Sequence, residues 1–158
     1  MRQKGFTLIE LMIVISITAI LGALGIAGFS SYSQAQVLQT STNEVTTMLN
    51  LAKSRSQSQI KLGSACDSDL KILKGYSVDI SGNSYALTSH CLIGLSELTS
   101  IIQSKTLPRN VSFTSSTFPS FFFPVRRGGV ETPGQIVISS GGKTKIIVIN
   151  SWGGVSVQ

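Results

Sequence analysis

The chain has 158 residues, of which 42% are apolar and only 13% are charged. This length suits one modest domain with an anchoring segment and excludes two full domains, and so few charges are unusual for a soluble cytosolic protein. The formal net charge is +6, with Arg126 and Arg127 as the only adjacent basic pair, so weak attraction to nucleic acid or anionic lipid is permitted but not required.

The first element is an apolar run over residues 6–29, preceded by Arg2 and Lys4. A helix of this length is about 36 Å long, which is enough to cross the hydrocarbon core of a bilayer with some tilt. No basic residue follows the run until Lys53. The positive-inside rule therefore predicts a single pass of the cytoplasmic membrane, with a cytoplasmic N-terminus and an exported remainder.

Three kinds of segment compete for this run. A secretory signal peptide needs a small-residue cut site, which alanines in the run supply, but the run is long and continues into a helical pattern. A plain signal anchor explains the length and the orientation but leaves Glu10 without a reason. Because a carboxylate inside an apolar segment is costly to insert, Glu10 indicates a function.

The third kind of segment is indicated by Gly5-Phe6-Thr7-Leu8-Ile9-Glu10, which resembles the cleavage motif of type IV prepilins. The resemblance implies that a prepilin peptidase cuts after Gly5 and that Phe6 is then N-methylated. It also implies that Glu10 aligns incoming subunits through a neighbour's N-terminal amine, a partner that a buried carboxylate needs. The implied partners are other pilins or pseudopilins, the peptidase and the inner-membrane assembly platform.

One feature departs from many pilins, because the chain has no proline before Pro108. Gly22, Gly25 and Gly28 stand late in the apolar run instead. Glycine weakens a helix interior, so these residues suit local unwinding in a filament. They equally suit close packing between helices in a membrane, and the sequence does not choose.

The helical pattern continues beyond the apolar run, with an apolar stripe at helical spacing. The stripe consists of Leu38, Val45, Met48, Leu49 and Ala52. We predict one long helix whose membrane-spanning half covers residues 6–29 and whose amphipathic half covers residues 30–63. Gly63 is the expected C-cap.

Residues 64–158 show alternation and turns, which predict a β-rich exported domain. The expected strands are 72–80, 85–88, 98–104, 111–114, 135–139, 145–149 and 155–157, with a hairpin turn at 140–143. The aromatic cluster at 118–124 suits buried strand residues better than an exposed contact surface. The fold class is therefore α+β, a long N-terminal helix packed on a C-terminal antiparallel sheet domain as in pilins.

Cys66 and Cys91 form neither a CxxC pair nor a four-ligand set. In an exported domain a disulfide is expected and would stabilise the fold by about 3 kcal/mol, with two buried free thiols as the alternative. A metal site of these cysteines with Asp67 and His90 is conceivable, but a disulfide beside a surface histidine is more ordinary. We expect no metal and no cofactor.

No hydrolase, nucleotide-binding or metalloprotease motif occurs in the sequence. The acidic residues of the domain show no pairing that suggests acid–base catalysis. We therefore expect a substrate of processing enzymes rather than an enzyme.

The C-terminal part is similar to the FimT/GspH group of minor pseudopilins. The similarity lies in the aromatic-then-glycine stretch 123–129, the paired strands after it and the ending 152–155. DNA-binding members carry arginines in a Gly-Arg motif near the C-terminus, whereas here Gly153 is followed by Gly154 and Val155. This difference argues against DNA capture through that loop.

The resemblance implies a structural subunit, a minor pilin or pseudopilin, of a type IV pilus or of a type II secretion pseudopilus. One alternative is a pilus subunit that contacts DNA during uptake through basic residues. The other alternative is a plain signal-anchored β-domain. The candidate DNA contacts are Arg126, Arg127, Lys143 and Lys145.

Overall fold

The computed structural model describes residues 7–68 and 70–158, apart from the side chains of residues 23–28, 30 and 31. One long helix, α1 (Leu8–Gln57), is followed by a short 3-10 helix (Ser64–Cys66). The strands after it are β1 (Ile72–Ser81), β2 (Ser84–Ile93), β3 (Ser96–Thr106), β4 (Ser112–Ser116), β5 (Ser120–Pro124), β6 (Gly134–Ser140), β7 (Lys143–Ile149) and β8 (Val155–Val157).

The strands form two antiparallel sheets of four strands each. The first sheet has the order β3-β2-β1-β5 and the second has the order β4-β6-β7-β8. This architecture confirms the α+β class, although the sequence did not predict a division into two sheets. The division arises because β5 pairs with β1, while β4 and β6, which flank β5 in the chain, pair with each other.

One face of α1 supplies the centre of the core. The predicted apolar stripe from Leu38 to Ala52 is buried, and none of its five side chains is more than 4% exposed. This stripe contacts both sheets, and the Ser56 hydroxyl also donates a hydrogen bond to the Phe123 carbonyl oxygen at 2.6 Å. The sheet side chains in the same core include Tyr76, Val78, Phe121, Phe123, Ile136, Ile138, Ile147 and Ile149.

The aromatic cluster forms β5, as its interpretation as a buried strand requires. Phe121 and Phe123 are 0% and 1% exposed, and their side chains belong to the core. Phe118 precedes the strand and stays 36% exposed, with its ring edge-to-face on Phe121.

Helix α1 ends at Gln57, earlier than the predicted C-cap Gly63. Gln59 adopts a left-handed conformation, with φ of 54°. The Gln59 amide donates a hydrogen bond to the Ser56 carbonyl oxygen, and the Ile60 amide donates one to the Arg55 carbonyl oxygen. These two hydrogen bonds define a Schellman motif. Glycine usually occupies the position of Gln59, so the sequence did not reveal the end of the helix.

The expected disulfide between Cys66 and Cys91 is present, with the two Cα atoms 5.5 Å apart. It joins the 3-10 helix to β2, and both cysteines are buried. Because the disulfide uses both thiols, the alternative of two free thiols is wrong, and the conceivable metal site with Asp67 and His90 loses its two sulfur ligands.

Candidate assembly site

Glu10 lies in the first turn of α1 and forms a capping box with Thr7. The Thr7 hydroxyl accepts a hydrogen bond from the Glu10 amide at 3.3 Å. Glu10 Oε2 accepts hydrogen bonds from the Thr7 amide at 3.3 Å and from the Thr7 hydroxyl at 3.2 Å. The box satisfies amides that have no partner within the helix, and the carboxylate also complements the helix dipole.

Thr7 is not among the site residues that the sequence predicted. The signal for it was present, because Thr-x-x-Glu directly before an apolar run is the sequence pattern of a capping box. In this chain the box overlaps the prepilin-like motif, so Thr7 and Glu10 belong to both.

The first half of α1 extends away from the core and exposes apolar side chains. Large apolar residues between Leu8 and Leu21 are each 52% to 76% exposed. Glu10 is the one charged residue in this stretch of sequence. An apolar surface of this extent is typical of an interaction site rather than of a monomer surface.

Gly5 and Phe6 lie outside the residues that the structure describes, so cleavage and methylation remain predictions from sequence. Among residues 7–68 and 70–158, no helix combines the length and the apolarity of a candidate membrane span.

Comparison with known families identifies the N-terminal segment. Residues 1–26 match the family described as Prokaryotic N-terminal methylation motif, and this range includes Gly5, Phe6 and Glu10. The chain is a type IV pilin-like protein.

Two relatives are similar in sequence to part of the chain. Prepilin peptidase-dependent protein D of Escherichia coli (strain K12) is 54% identical over 37 residues, which are 23% of this chain and 25% of that protein. A fimbrial protein of Pseudomonas aeruginosa is 42% identical over 52 residues, which are 33% of this chain and 34% of that protein. The chain thus spans between a quarter and a third of the length of these relatives. No solved structure matches the chain.

The β-domain of this pilin-like chain carries a polar cluster that the sequence did not predict. His90 Nε2 lies 2.8 Å from the Ser77 hydroxyl, and His90 Nδ1 lies 2.8 Å from Glu97 Oε1. Lys74 donates to the other oxygen of Glu97 at 2.7 Å. The cluster links β1, β2 and β3 and resembles the serine–histidine–carboxylate order of hydrolase triads.

The surroundings of Ser77 give this cluster a structural role. Ser77 is 1% exposed and lies in the middle of β1, where β2 and β5 pair with it on both sides. A hydrolase needs an exposed hydroxyl and free amides to hold an oxyanion, and the paired strands offer neither. The cluster therefore connects three strands of the first sheet through side-chain hydrogen bonds. We call it the polar clamp, and it consists of Lys74, Ser77, His90 and Glu97.

The four candidate DNA contacts do not form one patch. Arg126 and Arg127 lie in the turn after β5, which is close to the end of α1. A Cβ atom added to the neighbouring Gly128 would lie only 2.7 Å from Gln57 Nε2. Lys143 and Lys145 belong to β7, next to a hairpin turn that packs against the side chain of Gln34. Gln34 and Gln57 are about 35 Å apart along α1, so the two basic pairs lie at opposite ends of the domain.

Glu97, in the polar clamp, has a displaced pKa. The Lys74 hydrogen bond is the main cause, and the His90 hydrogen bond adds to it, so the pKa of Glu97 lies below its ordinary value of 4.5. A carboxylate with a lowered pKa stabilises the fold at pH values above its unfolded pKa. This stabilisation is lost as the pH falls through the folded value.

We expect Glu97→Gln to lower the free energy of unfolding at pH 7 by less than about 1 kcal/mol, because the ion pair is partly exposed. The variant should also lose less stability than the parent chain as the pH falls below 4.5. Chemical denaturation of both chains at a series of pH values measures this difference. Glu131→Gln removes an exposed carboxylate elsewhere and is the control. Parallel stability curves for Glu97→Gln and the parent would contradict the assignment.

Proposed function

We propose that this chain is a minor pilin or pseudopilin, a structural subunit of a type IV pilus or of a type II secretion pseudopilus. The observation that carries the proposal is the methylation motif over residues 1–26, which includes the exposed apolar residues of α1 from Leu8 to Leu21. The names of the two relatives, a prepilin peptidase-dependent protein and a fimbrial protein, support it. The resemblance of the C-terminal part to the FimT/GspH group favours a minor subunit.

In this proposal the precursor is anchored in the cytoplasmic membrane by residues 6–29. Arg2 and Lys4 keep the N-terminus in the cytoplasm, and residues 64–158 form the exported domain. The prepilin peptidase cuts after Gly5, and Phe6 becomes the N-methylated first residue. The assembly platform then moves the subunit into a filament in which the N-terminal helices pack together.

Glu10 has two competing partners in this scheme. In the isolated chain its carboxylate accepts hydrogen bonds from Thr7. Among packed apolar helices water no longer solvates the charge, and a neighbour's N-terminal ammonium neutralises it, whereas a hydroxyl does not. The capping box therefore holds Glu10 in place until the neighbour's amine replaces Thr7, and this exchange sets the register between subunits.

Intact-mass measurement of the membrane-extracted chain tests the processing step. We expect a mass that lacks Met1 to Gly5 and carries one added methyl group on Phe6. Gly5→Leu is the matched control and should retain the leader, because a bulky side chain stands at the cleavage position. A parent mass that includes Met1 to Gly5 would remove the pilin proposal and favour a plain signal-anchored β-domain.

The role of Glu10 is tested by two variants of the capping box. Glu10→Ala should still be cleaved but should enter filaments at least about tenfold less, because a buried amine loses its charge partner. Thr7→Val breaks the same box and keeps the carboxylate, so it should be incorporated nearly normally. Quantitative immunoblots of sheared filaments and of membranes measure both. Equal loss in the two variants would mean that only the cap matters, and normal incorporation of Glu10→Ala would refute the register role.

A second candidate function, DNA contact during uptake, is favoured by one observation at the end of the domain. Trp152 is 82% exposed, and its backbone packs against Gly129, in the turn that carries Arg126 and Arg127. Lys53 donates to the Trp152 carbonyl oxygen at 3.2 Å. An exposed aromatic side chain with cationic residues in the same region suits single-stranded nucleic acid, because the ring can stack on a base while the cations contact phosphates.

A gel shift with the full chain in detergent and a single-stranded oligonucleotide tests this second function. Binding should weaken steeply with salt, because phosphate contacts release counterions. Combined Arg126→Ala and Arg127→Ala should reduce both the affinity and the salt slope, while combined Lys143→Ala and Lys145→Ala should change neither. No shift at low salt would exclude DNA contact, and equal effects of the two pairs would indicate nonspecific attraction.

A further inference from the structure

A cavity of about 400 Å³ lies where the end of α1 meets β1 and the turn after β5. Three of its seven lining residues are cationic, and among the described residues no carboxylate lines it. The rest of the lining is apolar apart from one amide side chain. The lining residues are Gln59, Lys61, Lys71, Ile72, Leu73, Val125 and Arg126.

The three cations differ in how their charges are used. Lys71 Nζ lies 2.6 Å from Asp67 Oδ1, and it also donates to the Ser64 carbonyl oxygen at 3.1 Å. Lys61 and Arg126 are exposed, and neither forms a salt bridge within the described part of the chain. Counting the described lining residues, the cavity therefore keeps a net positive charge, because Lys61 and Arg126 remain for a ligand.

The backbone gives an independent reason to regard this cavity as a site. Arg126, with φ of 69°, is a non-glycine residue in the left-handed region and lines this cavity, whereas the left-handed Gln59, which also lines it, is explained by the Schellman turn that ends α1. That region is disfavoured for any residue with a Cβ atom and is easy for glycine. Non-glycine residues held in such conformations cluster at ligand sites, where the side chain has a use.

We propose that this cavity binds a phosphate group. A guanidinium contacts two phosphate oxygens at once, and an ammonium adds a compact charge, so Arg126 and Lys61 together match a phosphate better than either does alone. Lys71, whose charge is paired with Asp67, lines a third side of the cavity. The site lies at the end of α1 opposite to Glu10 and is separate from the contacts proposed for filament assembly.

Arg126→Gly separates a binding role of Arg126 from a structural one. Glycine removes the guanidinium and at the same time suits a φ of 69°. The variant should therefore melt at the same temperature as the parent or about 2–4 °C higher. Its affinity for phosphate should fall at least about tenfold, because a charge-assisted bidentate contact is lost.

The measurement uses the full chain in detergent, titrated with inorganic phosphate at constant ionic strength and followed by calorimetry. Lys61→Ala should also weaken binding, and Lys143→Ala, at the far end of the domain, should not. No saturable binding by the parent would overturn the proposal. An Arg126→Gly chain that binds phosphate as the parent does, or that melts well below it, would overturn it too.

A single-stranded oligonucleotide in the same titration distinguishes the sources of the phosphate. If the oligonucleotide displaces inorganic phosphate from the parent chain, the site accepts the phosphodiester of a polynucleotide. If it does not, the site takes a small phosphate compound. Filament incorporation of Arg126→Gly is measured in parallel and should be normal, so failure of this site and failure of the assembly role give different results.

Discussion

The packing of one helical face against both sheets is the interaction on which the rest of the domain depends. Val45, Leu49 and Ala52 are fully buried between strands that belong to different sheets. The two sheets share no strand, so the helix and the core side chains around it join them. The second half of the helix is therefore part of the domain, whereas the first half extends beyond the core.

This arrangement explains why a single helix carries two kinds of surface. In the second half, burial of the apolar stripe offsets the entropy lost on folding, as in any core helix. In the first half, the large apolar side chains from Leu8 to Leu21 remain exposed in the part of the chain that the structure describes. Their burial therefore has to come from outside the chain, from lipid or from other helices. This incomplete burial is the physical basis for the proposed role of the helix in assembly.

The sequence predicted those features that follow from local pattern. Helical spacing identified the buried stripe from Leu38 to Ala52, and alternation with turn residues identified most strands, including Val155–Val157. The disulfide followed from two cysteines in a domain expected to be exported. At the candidate assembly site, the sequence motif predicted a role for Glu10. It did not predict the hydrogen bonds between Glu10 and Thr7, although both residues belong to the motif.

Other features depend on contacts between distant segments, and here the sequence was insufficient. The helix stops at a Schellman turn in which Gln59 takes a glycine's place, so Gly63 was a misleading signal. The pairing of β5 with β1 splits the sheet in two, and no local pattern specifies it. The sequence grouped the basic residues as candidate contacts for nucleic acid. In the fold, however, Arg126 and Lys143 lie at opposite ends of the domain.

The distance between the two ends of α1 has a consequence for any filament built from this chain. At 1.5 Å per residue the helix is about 75 Å long, with Glu10 near its start and the cavity beyond its end. Packing of the first half among neighbouring helices buries Glu10 and leaves the turns of Arg126 and Trp152 far from those contacts. Under the two proposals, we therefore expect mutations near Glu10 to change assembly and mutations at Arg126 to change phosphate binding. Since the effects of mutations this far apart with no shared partner usually add, we expect the two proposed functions to vary independently.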